Sequence, residues 1–315
     1  MTTPFQNRLM LRLATGIATL PETDRAVAVS FFLDAQTENG GFRGRRGIGE
    51  LYYTDFALRG LTLLDAMPNC NRSILAFLKT ALTRNDLAQN DLECVERVSL
   101  LNSALILEAT WGEDLFSEIL TSPGIWFCDQ LHQFKTSDGG FASSGESQYS
   151  STYHNFLVLS TMQLFGWEGI DVDRIVQNIL NRQRPDGGFV ELPPLKVGGT
   201  NPTAAAVCLL GMLDIHDYPK DNARCFLKSM QSEEGGFLAH ARIPVPDLLS
   251  TFTAIVALHE LDAWDAFDTE KTLRFVRSLR HDSGGYAGAC WDHEPDVEYT
   301  FYALATQAFL GSRHS

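Results

Sequence analysis

Basic residues are scarce in this chain: 25 Lys and Arg stand against 39 Asp and Glu, a formal net charge of −14. A polyanion needs a basic surface, so general binding of nucleic acid or of an anionic membrane is excluded. Apolar runs of about 18 residues are absent, which leaves no membrane span. The six cysteines (Cys70, Cys94, Cys128, Cys208, Cys225, Cys290) have no Cys-x-x-Cys spacing and fall within apolar helical patterns. That pattern predicts reduced, mostly buried thiols in a cytoplasmic protein. No Asp-Asp-x-x-Asp is present to trigger ionisation through magnesium, and neither a phosphate loop nor a Gly-x-Ser-x-Gly motif occurs. No Pro/Ser-rich linker separates halves, so the 315 residues read as a single domain over 1–315. The first twenty residues carry arginines inside their apolar part and lack a cleavage site. Phe5, Leu9, Leu13, Ile17 and Leu20 recur at helical spacing and predict a capping helix.

What the chain does have is a repeat. Gly-Gly-Phe ends at Phe42, Phe141, Phe189 and Phe237, and Gly-Gly-Tyr at Tyr286, at intervals of 99, 48, 48 and 49 residues. The first interval is two periods, so a degenerate copy is expected near residue 91 and six units result. Only glycine takes positive φ without strain, and the pair reads as a helix C-cap followed by an aromatic plug.

Each unit predicts two helices of different character. The first is amphipathic: Val172, Ile175, Val176, Ile179 and Leu180 form one stripe after a candidate cap at Asp171, and Ala223, Phe226, Leu227 and Met230 form another. The second is apolar nearly all round, as in the runs from Thr203, Thr251 and Thr300, and belongs to an inner ring. About twelve helices alternating between outer and inner rings give an all-α fold, an α/α toroid of six helical hairpins around an apolar cavity. An open solenoid is the structural alternative.

The Gln-x-x-x-Gly-Gly-Phe turns at Gln36, Gln183 and Gln231, the period near 48 and the Thr or Ser opening each inner helix resemble the repeats of protein prenyltransferase β subunits. More distantly they resemble squalene and terpene cyclases. Gly40 to Arg46 followed by Leu51, Tyr52, Tyr53 and Thr54 is similar to the Rab geranylgeranyltransferase β subunit. The resemblance spans about residues 25 to 312 and implies the toroid and an isoprenoid ligand.

It also implies a zinc site built from Asp-x-Cys at one inner-helix start and a His at the next. The matching positions here are Asp247, Leu249 and Tyr299, so Asp247 is the one matched ligand and no metal site is expected. Magnesium is left open. The cyclase branch implies an acid motif, Asp-x-Asp-Asp-Thr; Asp296, Glu298, Tyr299 and Thr300 are similar in frame, with Glu298 in the acid's place. Neighbouring carboxylates at Asp296, Glu294 and Asp292 would favour its protonated form. The catalytic candidates are therefore Glu298, Asp296 and Tyr299. The competing account is an acidic helix start.

Arg43, Arg45 and Arg46 follow the first Gly-Gly-Phe, where a closed ring brings them beside the loop of Asp292 to Glu298. They suit a diphosphate, or else simply pair with that acidic loop. His240 and Arg242 stand near positions where the family places diphosphate ligands. Aromatics crowd the inner-helix starts, among them Tyr52, Tyr53, Phe56, Tyr149, Tyr153, Phe156, Phe252, Trp291, Tyr299, Phe301 and Tyr302, of which Tyr53, Trp291 and Tyr302 are the substrate-binding candidates. His154 reads as a core histidine or a general base.

The resemblance ranks first a prenyltransferase-like enzyme acting on a prenyl diphosphate, with a helical partner subunit of the kind the family uses. A protonation-initiated terpene cyclase working through Glu298 is the alternative. A non-catalytic toroid that binds a lipid or a protein is the third reading.

Overall fold

The computed structural model describes residues 3–69, 71–83, 92–117, 121–165 and 170–312. The degenerate copy expected near residue 91, and Cys70, lie outside the described residues. The fold is the expected α/α toroid. A capping helix α1 (Phe5–Ile17) precedes six pairs. The outer members are α2 (Glu22–Asp34), α4 (Arg72–Thr83), α6 (Pro123–Leu131), α8 (Val172–Leu180), α10 (Lys220–Ser229) and α12 (Thr269–Ser278). The inner members are α3 (Leu51–Leu63), α5 (Cys94–Trp111), α7 (Thr152–Met162), α9 (Thr200–Met212), α11 (Leu248–Glu260) and α13 (Val297–Gly311).

Residues form two compact units. In the first (1–9, 133–279 and 288–292), α7 packs on α9 and α9 on α11, with α8, α10 and α12 outside. A short antiparallel pair, β1 (Phe237–Leu238) with β2 (Pro246–Asp247), leads into α11. Every residue of α9 from Thr203 to Leu210 is buried, as its unbroken apolar run requires. In the amphipathic α8 only Ile175, Val176 and Ile179 are buried, and the Asp171 side chain caps it by accepting the Arg174 backbone N–H. In the second unit (10–132, 280–287 and 293–315), α3 packs on α5 and on α13, so the first and last hairpins are neighbours.

The repeat is built by one hydrogen-bond pattern. The inner-helix threonine accepts the backbone N–H of the turn aromatic: Thr54 from Phe42, Thr203 from Phe189, Thr251 from Phe237 and Thr300 from Tyr286, at 2.8–3.0 Å. The same hydroxyl donates to the carbonyl of its own helix cap, so a buried donor and a buried acceptor are satisfied together. In the third hairpin Asn155 replaces the threonine and accepts from Phe141. The glutamines brace the same turns, since Gln36, Gln183 and Gln231 donate to the carbonyls of Gly40, Gly187 and Gly235. All four turn phenylalanines are fully buried.

Two expectations are corrected. The glycine pair is not a helix C-cap. The preceding helices end on αR residues such as Ala35 and Asn181, and the first glycine takes its positive φ (91° at Gly40) inside a separate turn closed by Gly40 N–H to the Thr37 carbonyl. The second glycine is required by a close approach: a Cβ at Gly285 would lie 2.4 Å from the Phe31 ring. The cysteines are also less buried than expected, for Cys225 and Cys290 are exposed while Cys94 and Cys208 are buried. Cys225 falls on the wet side of its amphipathic helix and Cys290 in a loop. No described helix is long and apolar enough to cross a membrane.

Candidate functional site

The second unit gathers most of the charged candidates at the start of α13. Asp296 is its N-cap: one carboxylate oxygen accepts the Tyr299 backbone N–H at 2.9 Å. The other accepts Arg45 Nε at 3.2 Å, from the loop that follows the first turn. Asp296 is 3% exposed, with Arg45 as its ion-pair partner. Next to it Arg46 pairs with Glu294 at the surface. The adjacency of the arginine loop and the acidic loop is thus as expected from ring order, and both described pairings are made with acids. Arg43 is exposed.

Glu298 stands two residues after the cap and is half-buried. Its Oε1 accepts the Tyr52 hydroxyl at 2.8 Å. Burial is the main force on its carboxyl, and the Asp296 charge adds to it; Tyr52 and Arg45 oppose them, and the group is pushed up from 4.5 to about 7. Burial also raises the Tyr53 phenol, helped by the charges of Asp296 and Glu298.

The Tyr52 ring opens an aromatic wall. Tyr52 meets Tyr53 and Phe56 at ring distances of 5.3 and 5.1 Å, and Phe56 meets Phe301 and Tyr302 at 5.6 and 5.3 Å, all edge-on. The hairpin alternation places these side chains: α3 and α13 are neighbouring inner helices whose first turns carry aromatics at adjacent positions. The structure therefore brings together Asp296, Glu298, Arg45, Tyr53 and Tyr302.

The other candidates lie in the first unit. His240 and Arg242 are in the β1–β2 loop, where the Arg242 backbone N–H donates to His240 Nδ1, and Arg242 is exposed. Trp291 is 68% exposed. His154 packs with its Nδ1 2.8 Å from the Ser151 hydroxyl, and burial pushes it down to about 4, the state of a satisfied neutral histidine.

Zinc does not fit the residues at the family's ligand positions. Leu249 offers no donor. The Asp247 carboxylate caps α11, accepting the Ser250 backbone N–H at 2.7 Å and the Ser250 hydroxyl at 2.8 Å. Tyr299 supplies a phenol where a histidine would be needed. Among the described residues no group of three His, Cys, Asp or Glu side chains is disposed to hold a metal ion.

Sequence reasoning did not single out Tyr52 as the partner of Glu298, nor an ion pair inside α3: Arg59 Nε and Nη2 each lie 2.8 Å from one oxygen of the Asp55 carboxylate. The visible signal was a charged pair at i, i+4 in an inner helix that is otherwise apolar.

A model of the prenyltransferase alpha-alpha toroid domain matches residues 9–200 and 203–315, and the chain belongs to that family. No curated protein sequence matches it significantly. Among solved structures, Candida albicans protein geranylgeranyltransferase-I complexed with GGPP is similar at a TM-score of 0.65 and 16% identity, covering 94% of this chain and 90% of that one. The type II terpene cyclase MstE from Scytonema, in complex with geranylgeranyl dihydroxybenzoate, is similar at 0.58 and 10% identity, covering 98% and 99%. A protein from Actinoplanes follows at 0.56 and 13%, covering 92% and 99%. At these identities the likeness is one of fold.

Proposed function

We propose that this chain is an isoprenoid-acting enzyme that cyclises a polyprene by protonation, with Glu298 as the general acid. The observation that carries the reading is the Glu298 carboxyl: half-buried, raised to about 7, and hydrogen-bonded by Tyr52, whose ring belongs to an aromatic cluster with Phe56, Phe301 and Tyr302. A carboxylic acid can protonate an alkene only if it remains protonated near neutrality, and burial beside a second carboxylate gives that state. Tyr52 donates to Oε1, so the acidic proton sits on Oε2.

The Oε2–H bond breaks as a C–H bond forms at the terminal alkene. The resulting tertiary cation is attacked by the next double bond of the chain, which closes a ring. Rings of Tyr52, Phe56, Phe301 and Tyr302 stabilise the moving positive charge through their π electrons. The charge of Asp296, opposed in part by Arg45, helps to keep Glu298 protonated. The type II terpene cyclase and the GGPP-bound transferase among the structural neighbours support an isoprenoid ligand on this fold. A prenyl diphosphate with a free terminal alkene, or a neutral polyprene, meets the requirement.

Prenyl transfer, first on resemblance alone, becomes the second reading. Its acceptor thiol needs an activating metal, and the residues at those positions do not supply one.

The test is incubation of the purified full chain with farnesyl and geranylgeranyl diphosphates and with squalene, followed by mass analysis. Cyclic products that vanish in Glu298→Gln support the reading. Unchanged substrate, or ring formation that survives Glu298→Gln, overturns it.

A further inference from the structure

The Asp55–Arg59 pair lies in the middle turns of an inner helix; of the other inner helices, α5 also holds a buried charged residue, Arg97. α9 runs TNPTAAAVCLLGM without a charge, and the charges of α11 and α13 are confined to their ends. A buried pair is a poor stabiliser, because apolar residues of the same volume do as well or better, so its presence in an apolar ring calls for another explanation. Its position suggests one. Tyr52, Asp55, Phe56 and Arg59 fall at i, i+3, i+4 and i+7 and form one stripe of α3. That stripe carries the Glu298 hydrogen bond at one end and the aromatic wall in its middle. Asp55 follows Tyr52 by about 4.5 Å of helix rise.

Cyclisation as proposed above needs a base as well as an acid, and this inference rests on that reading. We infer that Asp55 is the base that ends the cascade. The C–H bond next to the last carbocation breaks, its electron pair becomes the product's double bond, and the proton passes to an Asp55 carboxylate oxygen. No oxidant or co-reactant is involved. Asp55 then returns its proton to solvent and Glu298 takes one up, so the enzyme is restored.

The two carboxyls are matched to opposite roles. Glu298 has a tyrosine as its hydrogen-bond partner and is poised to give a proton. Asp55 is gripped along both oxygens by Arg59, whose charge favours the carboxylate. A carbocation's neighbouring C–H is so acidic that even an arginine-bound carboxylate removes its proton. Burial raises the Asp55 carboxyl in spite of Arg59, so accepting that proton also relieves a desolvated charge.

The experiment reads product ratio, which is independent of how much protein is folded or how fast it turns over. The full-length wild type, Asp55→Asn, Asp55→Glu and the double variant Asp55→Asn with Arg59→Gln are given geranylgeranyl diphosphate, and the extracts are resolved by mass spectrometry. The double variant removes the pair without leaving Arg59 facing a lost carboxylate. In the neutral variants we expect the wild-type product to fall at least tenfold as a share of total cyclised material, replaced by water-quenched alcohols or isomeric alkenes. Asp55→Glu should recover it in part. A wild-type ratio in the double variant, whatever its rate, overturns the assignment, and so does a wild-type ratio in Asp55→Asn. If the wild type itself forms no ring, the parent reading falls and this one with it; a cyclising wild type with indifferent Asp55 variants removes the base alone.

Discussion

The starts of α11 and α13 are two versions of one design. Each opens on an aspartate cap, Asp247 or Asp296, whose carboxylate accepts a backbone N–H three residues on. Each places a threonine at the fourth residue after the cap, and that threonine ties the helix to the buried aromatic of its turn. They differ at the second residue after the cap and in what else the aspartate holds. At α11 these are Leu249 and the Ser250 hydroxyl; at α13 they are Glu298 and Arg45. The backbone frame is therefore independent of the chemistry it presents. The two starts diverge at one register position and through one arginine from another loop.

That contrast is broken most severely at the acid. Glu298→Gln should lower cyclisation by about 10²–10⁴-fold, the usual worth of a positioned acid, measured as total cyclic product per unit time. Leu249→Ala, at the matching position of α11, should leave the product pattern unchanged. An equal loss in both would mean that the acid has been misplaced.

A second difference is in the pH dependence of stability. The folded Glu298 carboxyl sits at about 7 against an ordinary 4.5, so the native chain holds a proton that the unfolded chain releases between those values. Its contribution is fully present below about 4.5 and is lost as pH rises through about 7, to the extent of about 3 kcal/mol. Thermal melts should show Glu298→Gln gaining on the wild type from pH 5 to pH 8. No such trend should accompany Leu249→Gln.

The shared frame should fail equally in both places. Thr251→Val and Thr300→Val each leave a buried aromatic N–H without its acceptor and should each cost about 1–3 kcal/mol in denaturant unfolding. A large disparity would show that the two frames are not equivalent.

The smallest effect is at Tyr52. Its hydrogen bond favours the ionised form of Glu298, so Tyr52→Phe should move the alkaline limb of the activity profile upward by up to about one pH unit. A downward shift would reverse the sign assigned to that contact.

The fold could be read in the chain because its signals are local and repeated. Gly-Gly-aromatic, the preceding glutamine and the helix-opening threonine each satisfy a hydrogen bond within or next to their own hairpin. The turn was nonetheless misassigned as a C-cap, since left-handed glycine serves a helix end and a free-standing turn alike. At the site, ring order was enough to anticipate that Arg45 would lie near Asp296, 251 residues away in sequence. The partner of Glu298 was not, because three neighbouring aromatics on α3 look alike until geometry selects the Tyr52 hydroxyl. Asp55 and Arg59 escaped notice for a different reason: an i, i+4 pair of opposite charge usually marks a wet helix face, and only burial reveals it as something else.

The bridge that closes each turn has a consequence for how such a chain can change. Phe189, Phe237 and Tyr286 each pair with a residue ten positions on, Gly199, Asp247 and Asp296, whereas Phe42 pairs with Glu50, only eight positions on. The two ends of these four connecting segments are thus pinned together, and the length and composition of the chain between them are released from the demands of folding. Each hairpin works as a socket into which a stretch of chain can be swapped, lengthened or trimmed. The shortest of them came to hold three arginines while its neighbours kept none of that pattern. A protein assembled from such sockets can lose one reaction and acquire another without its helices having to move.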